Sequence, residues 1–254
     1  MAYTYRYCTN LTTAVCGNSV TSMNYTYYNC TNLTTAICGP NVTDMNTTYA
    51  YCDNLTTAAC GPDVTGMAYT YYNCPNLTTA VCGPNVTNMS YTYYDCTNLT
   101  TAVCGDNVQH MFYTYNNCTN LRVAVCGPNV INMYHTYSNC TNLTTAVCGP
   151  NVIGMDYAYS NCTNLKNCYI YSENISNAHC CFSRTSKNIY VIKNTLTENT
   201  FLQEETYKNY GSSISSEVSF IEHGSYFHDP NYNIFIYKMN NIAEIDTIRQ
   251  NNGD

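Results

Sequence analysis

Cysteine is the side chain with the greatest capacity for chemistry in this chain, which holds 18 thiols among its 254 residues. Most of them fall in two series with a period of 22 residues, and the second series follows the first by eight residues. Thiols in such a pattern could form disulfides, bind zinc or fill a core as small apolar side chains. The first series is Cys8, Cys30, Cys52, Cys74, Cys96, Cys118, Cys140 and Cys162, and the second is Cys16, Cys38, Cys60, Cys82, Cys104, Cys126 and Cys148.

The repeat pattern favours the third role for these thiols. If equivalent cysteines stack in neighbouring strands, their Cα atoms lie about 4.8 Å apart, a distance that a disulfide can span. Both series nevertheless fall on the predicted core-facing side of the repeat, and no secretory signal opens the sequence. We therefore expect reduced thiols. Zinc is disfavoured because no C-x-x-C pair occurs, although His179, Cys180 and Cys181 form one local cluster.

Histidine gives little support for catalysis. His223, His228 and Asp229 lie close together in the sequence, but no other motif converges on them. His110 and His135 occupy variable repeat positions and are expected at the surface. Phosphate-loop, nucleophile-elbow and dinucleotide motifs are absent from the sequence. We therefore expect no enzymatic activity, no metal and no cofactor.

Charge limits the class of partner. Charged residues make up 10% of the chain and the net charge is -7, which argues against nucleic acid as a ligand. No apolar run is long enough for a transmembrane helix, so membrane insertion is not expected. Localisation is left open, since synthesis in the cytoplasm is compatible with a virion or a surface destination.

Two further series with the same period show which elements hold these residues in place. Leu11 begins one that recurs to Leu165, and Met23 begins one that recurs to Met155. The segment Leu-Thr-Thr-Ala-Val-Cys is short and rich in β-branched residues, and it predicts a strand at residues 11–16 and every 22 residues thereafter. Gly-Pro-Asn predicts a turn. The return segment is too short for an α-helix and predicts a 3₁₀ turn or an irregular arc.

A single coil of this kind cannot bury its own apolar face, so the coils must stack. Eight coils at the strand spacing would span roughly 34 Å. Val64, Met67 and Tyr71 are predicted to point inward from the arc. The Asn column that runs from Asn10 to Asn164 is predicted to cap the turn into each strand and to form hydrogen bonds along the stack.

The repeat resembles the BspA-like, or treponemal-type, leucine-rich repeat, whose unit runs C-x-x-L-x-x-V-x-I-P-x-x-V-x-x-I and then A-F. Here Ala and Cys fill the second and third strand positions, and one residue is missing before the Thr-Tyr pair. The resemblance covers residues 1–165 strongly. It implies a β solenoid, a leucine-rich-repeat-like right-handed stack with one short parallel strand per coil. It also implies adhesion or protein binding, and it offers no catalytic residue to carry over.

The period fades after residue 165, which suggests a solenoid at residues 1–165 followed by a different segment at 166–254. Residues 188–192 and 233–237 are predicted strands, and residues 195–216 are predicted to be loop-rich. We expect residues 166–254 to form a degenerate repeat, a cap or a small β-rich segment that covers the end of the stack. An independent domain is the alternative.

The strand residues that point away from the core form the predicted binding surface. They make a nearly uncharged strip of Thr and Val, and an exposed apolar strip usually marks an interaction site. The predicted site residues are Thr35, Ile37, Thr57, Thr79, Val81, Thr101, Val103, Val123, Val125, Thr145 and Val147.

These features predict a non-catalytic binding scaffold, such as a bacterial surface protein or a bacteriophage structural or receptor-binding protein. Its partner would be a protein or a glycan on a cell surface, and self-assembly is a further option. Two other functions are compatible with the repeat, namely a purely structural spacer or assembly module and an ice-binding solenoid.

Overall fold

The computed structural model describes residues 1–183, 185, 187–192, 226–229, 234–239 and 242–253. Up to residue 183 the chain forms successive coils that each begin at a methionine. Coil 1 begins at Met1, coil 2 at Met23, coil 3 at Met45, and the series runs to coil 8 at Met155.

Each of the eight coils contributes one short strand, as the β-branched segment predicts. The strands are shorter than predicted, because hydrogen bonding of the strand type covers only two to four residues per coil. Their bounds are β1 Thr13–Val15, β2 Thr35–Ile37, β3 Thr57–Ala58, β4 Thr79–Val81, β5 Thr101–Val103, β6 Val123–Val125, β7 Thr145–Cys148 and β8 Asn167–Ile170.

The strands lie in two sheets. Strands β1 to β5 form a parallel sheet in sequence order, and β6, β7 and β8 begin a second sheet. Paired strands are offset by one repeat, so Thr13 faces Thr35 and Thr79 faces Thr101. Between β5 and β6 the stack continues on its opposite side, where His110 forms a parallel bridge with its equivalent in the next coil. One parallel strand per coil is therefore confirmed.

The second sheet continues into the C-terminal part of the chain. Strand β9 (Lys187–Ile192) pairs in parallel with β8, and β11 (Ile234–Met239) pairs in parallel with β9. Strand β10 (Tyr226–Asp229) is antiparallel to β11, and helix α1 covers Ile242–Asn251. The strands predicted at residues 188–192 and 233–237 are confirmed, the second beginning one residue later. The loop predicted at residues 195–216 lies outside the described residues.

The core is a set of ladders in which each coil buries the same side chains. In coil 4 the fully buried members are Met67, Tyr71, Cys74, Leu77 and Val86. Val64, in the preceding coil, is buried as well, so the inward orientation predicted for this arc is confirmed. Stacking covers the apolar faces that one coil would expose to water, and this burial is the main stabilising contribution.

Aromatic rings form two columns along the arc side of the stack. The inner ring column is buried from Tyr27 to Tyr159, and its rings stack at centroid distances of 5.4–5.6 Å. The outer ring column lies nearer to solvent. Its members are Tyr3, Tyr25, Thr47, Tyr69, Tyr91, Tyr113, His135 and Tyr157, and the inner column holds Tyr5, Tyr27, Tyr49, Tyr71, Tyr93, Tyr115, Tyr137 and Tyr159.

The arc between these columns is built from turns that contain two left-handed residues per coil. In coil 2 these residues are Tyr25, at φ 54°, and Asn29, at φ 58°. Asn tolerates this conformation, whereas a bulky side chain there is strained. Alternate N–H groups of the arc donate to carbonyls of the next coil, which stabilises the turn. In coil 2 the donors are Tyr25, Tyr27 and Asn29, and the acceptors in coil 3 are Asn46, Thr48 and Ala50.

The predicted Asn column does form hydrogen bonds along the stack. Side-chain amides donate from Asn54 to Asn32, from Asn98 to Asn76 and from Asn120 to Asn98, with distances of 3.2–3.3 Å. These residues are exposed, so the ladder helps to fix the register between coils but buries little surface.

Candidate binding surface on the strand face

The Thr/Val strip is the outward side of strands β1 to β7. In strands β1, β2 and β6 the central Ala is buried, and the residues on either side of it are exposed. This alternation follows from the period of two in a β-strand, which sends neighbouring side chains to opposite faces. Since the Ala side chain points to the core, the side chains on either side of it point to solvent and form the strip.

Much of the strip is open to solvent. Its most exposed apolar members are Val15 at 64%, Val103 at 55%, Ile37 at 51%, Val123 at 48% and Val125 at 44%. Water is thus in contact with a row of apolar side chains that a folded protein normally covers.

The polar column of the strip is open as well. The Thr members up to strand β5, which are Thr35, Thr57, Thr79 and Thr101, are exposed. The side chain of Val81 lies outside the described part of the structure.

Two predicted members of the strip are buried, so their assignment to an open surface is wrong. Thr145 is 8% exposed and Val147 is 6% exposed. Val147 packs in a small apolar cluster with Tyr169 of β8 and Ile245 of α1, and Ile248 lies at the edge of this cluster. The helix thus covers the C-terminal end of the strip. The sequence pattern could not reveal this, because the contact joins residues about a hundred positions apart.

Polar contacts hold α1 in this position. The Tyr171 hydroxyl donates to a carboxylate oxygen of Asp246 at 2.5 Å, and the Asn252 amide donates to the Tyr169 hydroxyl at 2.8 Å. Ile245 itself is fully buried. The strip is therefore a surface on which an amphipathic segment already packs at one end.

The outer ring column was not recognised as a surface from the sequence, although the period of Tyr indicated it. Tyr3 and Tyr69 are exposed, and the other rings of the column are half-buried. His135 is one of these rings, stacked between Tyr113 at 4.6 Å and Tyr157 at 4.5 Å, so it is part of a packed column and not an isolated surface residue. Burial lowers the pKa of His135, and the nearby Asp156 carboxylate opposes that shift.

The repeat sequence shows to which family the chain belongs. A profile of the BspA-type leucine-rich repeat region matches residues 1–122 and 89–214, in six copies. The chain belongs to the BspA-type leucine-rich repeat family. Membership of this BspA-type family agrees with the stacked coils and parallel strands, and the chain is a repeat solenoid on both grounds.

Two solved structures are similar to this BspA-type chain. One is a leucine-rich repeat protein from Bacteroides ovatus, with 11% identity over 79% of this chain and 84% of that one, at a TM-score of 0.30. The other is a leucine-rich cell surface protein from Faecalibacterium prausnitzii, with 15% identity over 75% and 76% of the chains, at a TM-score of 0.37. The search of curated proteins returned no significant match.

The thiols of the BspA-type stack act as hydrogen-bond donors in the core. From Cys30 to Cys162, each Cys of the first series donates to a Tyr carbonyl of the preceding coil, as Cys74 does to Tyr49 at 3.1 Å and Cys96 does to Tyr71 at 3.2 Å. Burial raises the pKa of the Cys96 thiol to about 12 and that of Cys82 to about 11. Protonated, buried thiols are poor nucleophiles, so this set offers no catalytic cysteine.

These thiols make the fold less stable at alkaline pH. Unfolded thiols titrate near 9.0, whereas folded Cys82 titrates near 11, so only the unfolded state loses its proton between these values. The contribution to stability is complete below pH 9.0 and declines as pH rises toward 11. Thermal unfolding followed by circular dichroism should show a midpoint that is level near neutral pH and falls above about pH 9.

Alkylation without reductant provides the control for that prediction. Cys8 is exposed and should react first in the native protein, and denaturation should open most of the 18 thiols to the reagent. Mass spectrometry that found most cysteines linked in pairs would contradict the assignment of reduced thiols.

The remaining candidates for metal chemistry find no support among the described residues. Within the described ranges, no group of three or more His, Cys, Asp and Glu side chains could hold a metal ion. Cys180 and Cys181 are buried, and His179 is half-buried with its ring against Tyr157. His223 lies outside the described residues, as do the side chains of His228 and Asp229. No helix of the described part is long and apolar enough to cross a membrane.

Proposed function

We propose that the chain is a non-catalytic scaffold that binds a partner through the Thr/Val strip. The observation that carries this proposal is the packing of α1 on the end of the strip, where Ile245 covers Val147 and Tyr169. This contact supports a ligand that presents an apolar side chain from an amphipathic segment.

Other members of the strip carry the same side chain and are exposed. Val103 and Val125 belong to the same row as Val147, and both are open to solvent. A ligand that docks there would remove apolar surface from water, which contributes roughly 25 cal/mol per Å². We therefore propose a protein ligand in the first place, with a glycan as the alternative.

The biological setting proposed for such a scaffold is adhesion or recognition at a cell or virion surface. The row of exposed Val and Ile side chains at Val15, Ile37, Val103 and Val125 supports this setting, because it extends over several coils.

The proposal predicts that charge on the strip abolishes binding. Val103→Lys combined with Val125→Lys should weaken binding by roughly a hundredfold or more, because an unpaired buried charge at an interface costs about 2–5 kcal/mol. Binding is measured against host cells and a glycan array, and a circular dichroism melt checks that the variant is folded.

Ile131→Lys with Ile153→Lys is the matched control. These residues are 37% and 44% exposed, and they lie outside the strip. Their replacement adds the same charge elsewhere on the stack, so it should leave binding unchanged. If the folded strip variant bound normally and the control variant did not, the contact surface would lie on the other side of the coils.

In-register Thr columns favour ice binding as a second candidate function. Thr57, Thr79 and Thr101 face one another across neighbouring strands, so their hydroxyls repeat at the strand spacing. Thermal hysteresis of the purified protein would support this candidate. A protein with neither thermal hysteresis nor any ligand for the strip would be assigned to the spacer or assembly role.

A further inference from the structure

We propose that coil 3 carries a binding slot for one planar aromatic ring, located between the rings of Tyr25 and Tyr69 and above Thr47. The slot lies in the outer ring column, on the arc side of the stack. It is a second site that is independent of the Thr/Val strip.

The outer ring column stacks wherever consecutive coils both supply a ring. Tyr3 and Tyr25 stack at a centroid distance of 5.1 Å, and Tyr69 and Tyr91 stack at 4.6 Å. The column then continues through Tyr113 at 4.8 Å, and the planes of all these pairs lie within 11° of parallel. Between residues 1 and 157, coil 3 alone supplies no ring, because its member of the column is Thr47.

The backbone stays in register across coil 3, where the ring is missing. The Tyr25 N–H donates to the Asn46 carbonyl at 3.2 Å, and the Thr47 N–H donates to the Ala68 carbonyl at 2.9 Å. The backbone positions that carry the rings of Tyr25 and Tyr69 therefore lie two coil spacings apart, which is about 9.6 Å. A ring inserted in van der Waals contact with both faces needs about 7–8 Å. One planar ring fits this interval, and two do not.

No ring of the described residues fills the interval. Tyr25 makes its ring contacts with Tyr3 and Tyr28, and Tyr69 makes its ring contacts with Tyr72 and Tyr91. Tyr69 is also 41% exposed, whereas Tyr91, which has a ring on both faces, is half-buried. The face of Tyr69 that points toward coil 3 is therefore open.

A second ring is missing from coil 3 beside the slot, but there another side chain occupies the gap. Coil 3 has Ala50 where the neighbouring coils have Tyr28 and Tyr72. There Tyr51 turns into the interval, 5.4 Å from Tyr28 and 5.5 Å from Tyr72. The chain thus closes one of two neighbouring gaps with its own ring and leaves the other open.

The residue at the base of the slot is held in an unfavourable conformation. Thr47 has φ 58°, which is a left-handed value that a β-branched side chain rarely adopts. The side chain is only 9% exposed, so it lies below the level of the flanking rings and forms the floor between them.

The chemistry of the slot selects a planar ring. Its two walls are phenol faces, which attract aromatic rings in offset stacking. The column itself holds Tyr or His at the equivalent positions, so the side chain of an aromatic residue has the required thickness. We therefore assign the slot to an aromatic side chain of a polypeptide partner. A saturated sugar ring is thicker and fits the interval less well.

The test uses N-acetyl-tryptophanamide, whose fluorescence can be excited selectively because the chain contains no Trp. Protein is titrated to millimolar concentration into a fixed amount of the probe, and fluorescence anisotropy is recorded. Thr47→Tyr supplies the missing ring and should weaken binding by roughly tenfold or more, the value of one lost stacking site. Thr47→Gly removes the strained side chain, keeps the slot open and should bind at least as well as the unchanged protein.

Thermal melts confirm that both variants are folded, and both substitutions are compatible with the backbone. Tyr occupies the same φ in the neighbouring coils, and Gly adopts it without strain. Equal binding by the unchanged protein and Thr47→Tyr would overturn the proposal, and so would absence of binding by both the unchanged protein and Thr47→Gly. A methyl glucoside that bound in place of the indole, and was lost in Thr47→Tyr, would overturn the assignment to an aromatic ring.

Discussion

Leu77→Asp is expected to destabilise the central coils by roughly 3–5 kcal/mol, which is the cost of an unpaired charge in a core. Leu77 is fully buried and belongs to the Leu column of coils 3, 4 and 5, between Leu55 and Leu99, which are also fully buried. The introduced carboxylate would lie in a core of Met, Tyr, Cys and Val side chains, which offer it no opposite charge. Because each coil is stabilised by its neighbours, a defect in coil 4 weakens both halves of the stack.

Chemical denaturation followed by circular dichroism measures this effect, and Thr79→Asp is the matched control. Thr79 lies two residues away, at the start of β4, and its side chain is exposed. The same charge there should change the free energy of unfolding by less than about 1 kcal/mol. Equal losses in the two variants would mean that the inward and outward faces of the strand are assigned wrongly.

Tyr93→Ala is expected to cost about 3–5 kcal/mol, the range found when a large buried aromatic side chain is truncated. Tyr93 is fully buried and stacks on Tyr71 at 5.5 Å and on Tyr115 at 5.4 Å. Its removal leaves a cavity and interrupts the inner ring column on both sides. The loss is measured from the midpoint of guanidinium unfolding.

Tyr93→Phe separates the ring of that residue from its hydroxyl. The Tyr93 hydroxyl is buried and finds no hydrogen-bond partner among the described residues, so its removal should raise the free energy of unfolding by up to about 1 kcal/mol. Tyr71→Phe is the comparison, since the Tyr71 hydroxyl donates to the Ala59 carbonyl at 3.3 Å and its loss should destabilise slightly. A loss in Tyr93→Phe as large as in Tyr93→Ala would mean that the hydroxyl, and not the ring, stabilises the column.

The sequence by itself determined the coil and its two faces. A period of 22 residues placed one strand per coil, and alternation within Thr35–Ile37 showed that Ala36 points inward while Thr35 and Ile37 point outward. Such features follow from local geometry, because a strand sends alternate side chains to opposite faces and identical coils must stack in register. The predicted Leu, Met and Cys ladders of the core depend on nothing else.

The sequence contains a signal for some of the left-handed residues of the arc, but the sequence analysis did not predict them. In most coils the residue before Cys of the first series is Asn or Asp, as in Asn73 and Asp95, and these residue types favour this conformation. Their partners in the arc, such as Tyr69 and Tyr91, carry no such signal, because a bulky residue avoids positive φ unless its surroundings hold it there. Hydrogen bonds to the next coil and ring stacking supply that constraint, and both exist only in the stack.

Only the tertiary structure decided which parts of the two surfaces are open. Thr145 and Val147 continue the Thr/Val strip in the sequence, yet they are buried, and α1 packs on Val147 from a distant part of the chain. Thr47 is one substitution in a repeat, yet its consequence depends on whether a neighbouring ring turns into the gap, as Tyr51 does for Ala50. A repeat specifies what each coil can present to solvent, whereas exposure depends on what other segments pack there, and that is a property of the whole fold.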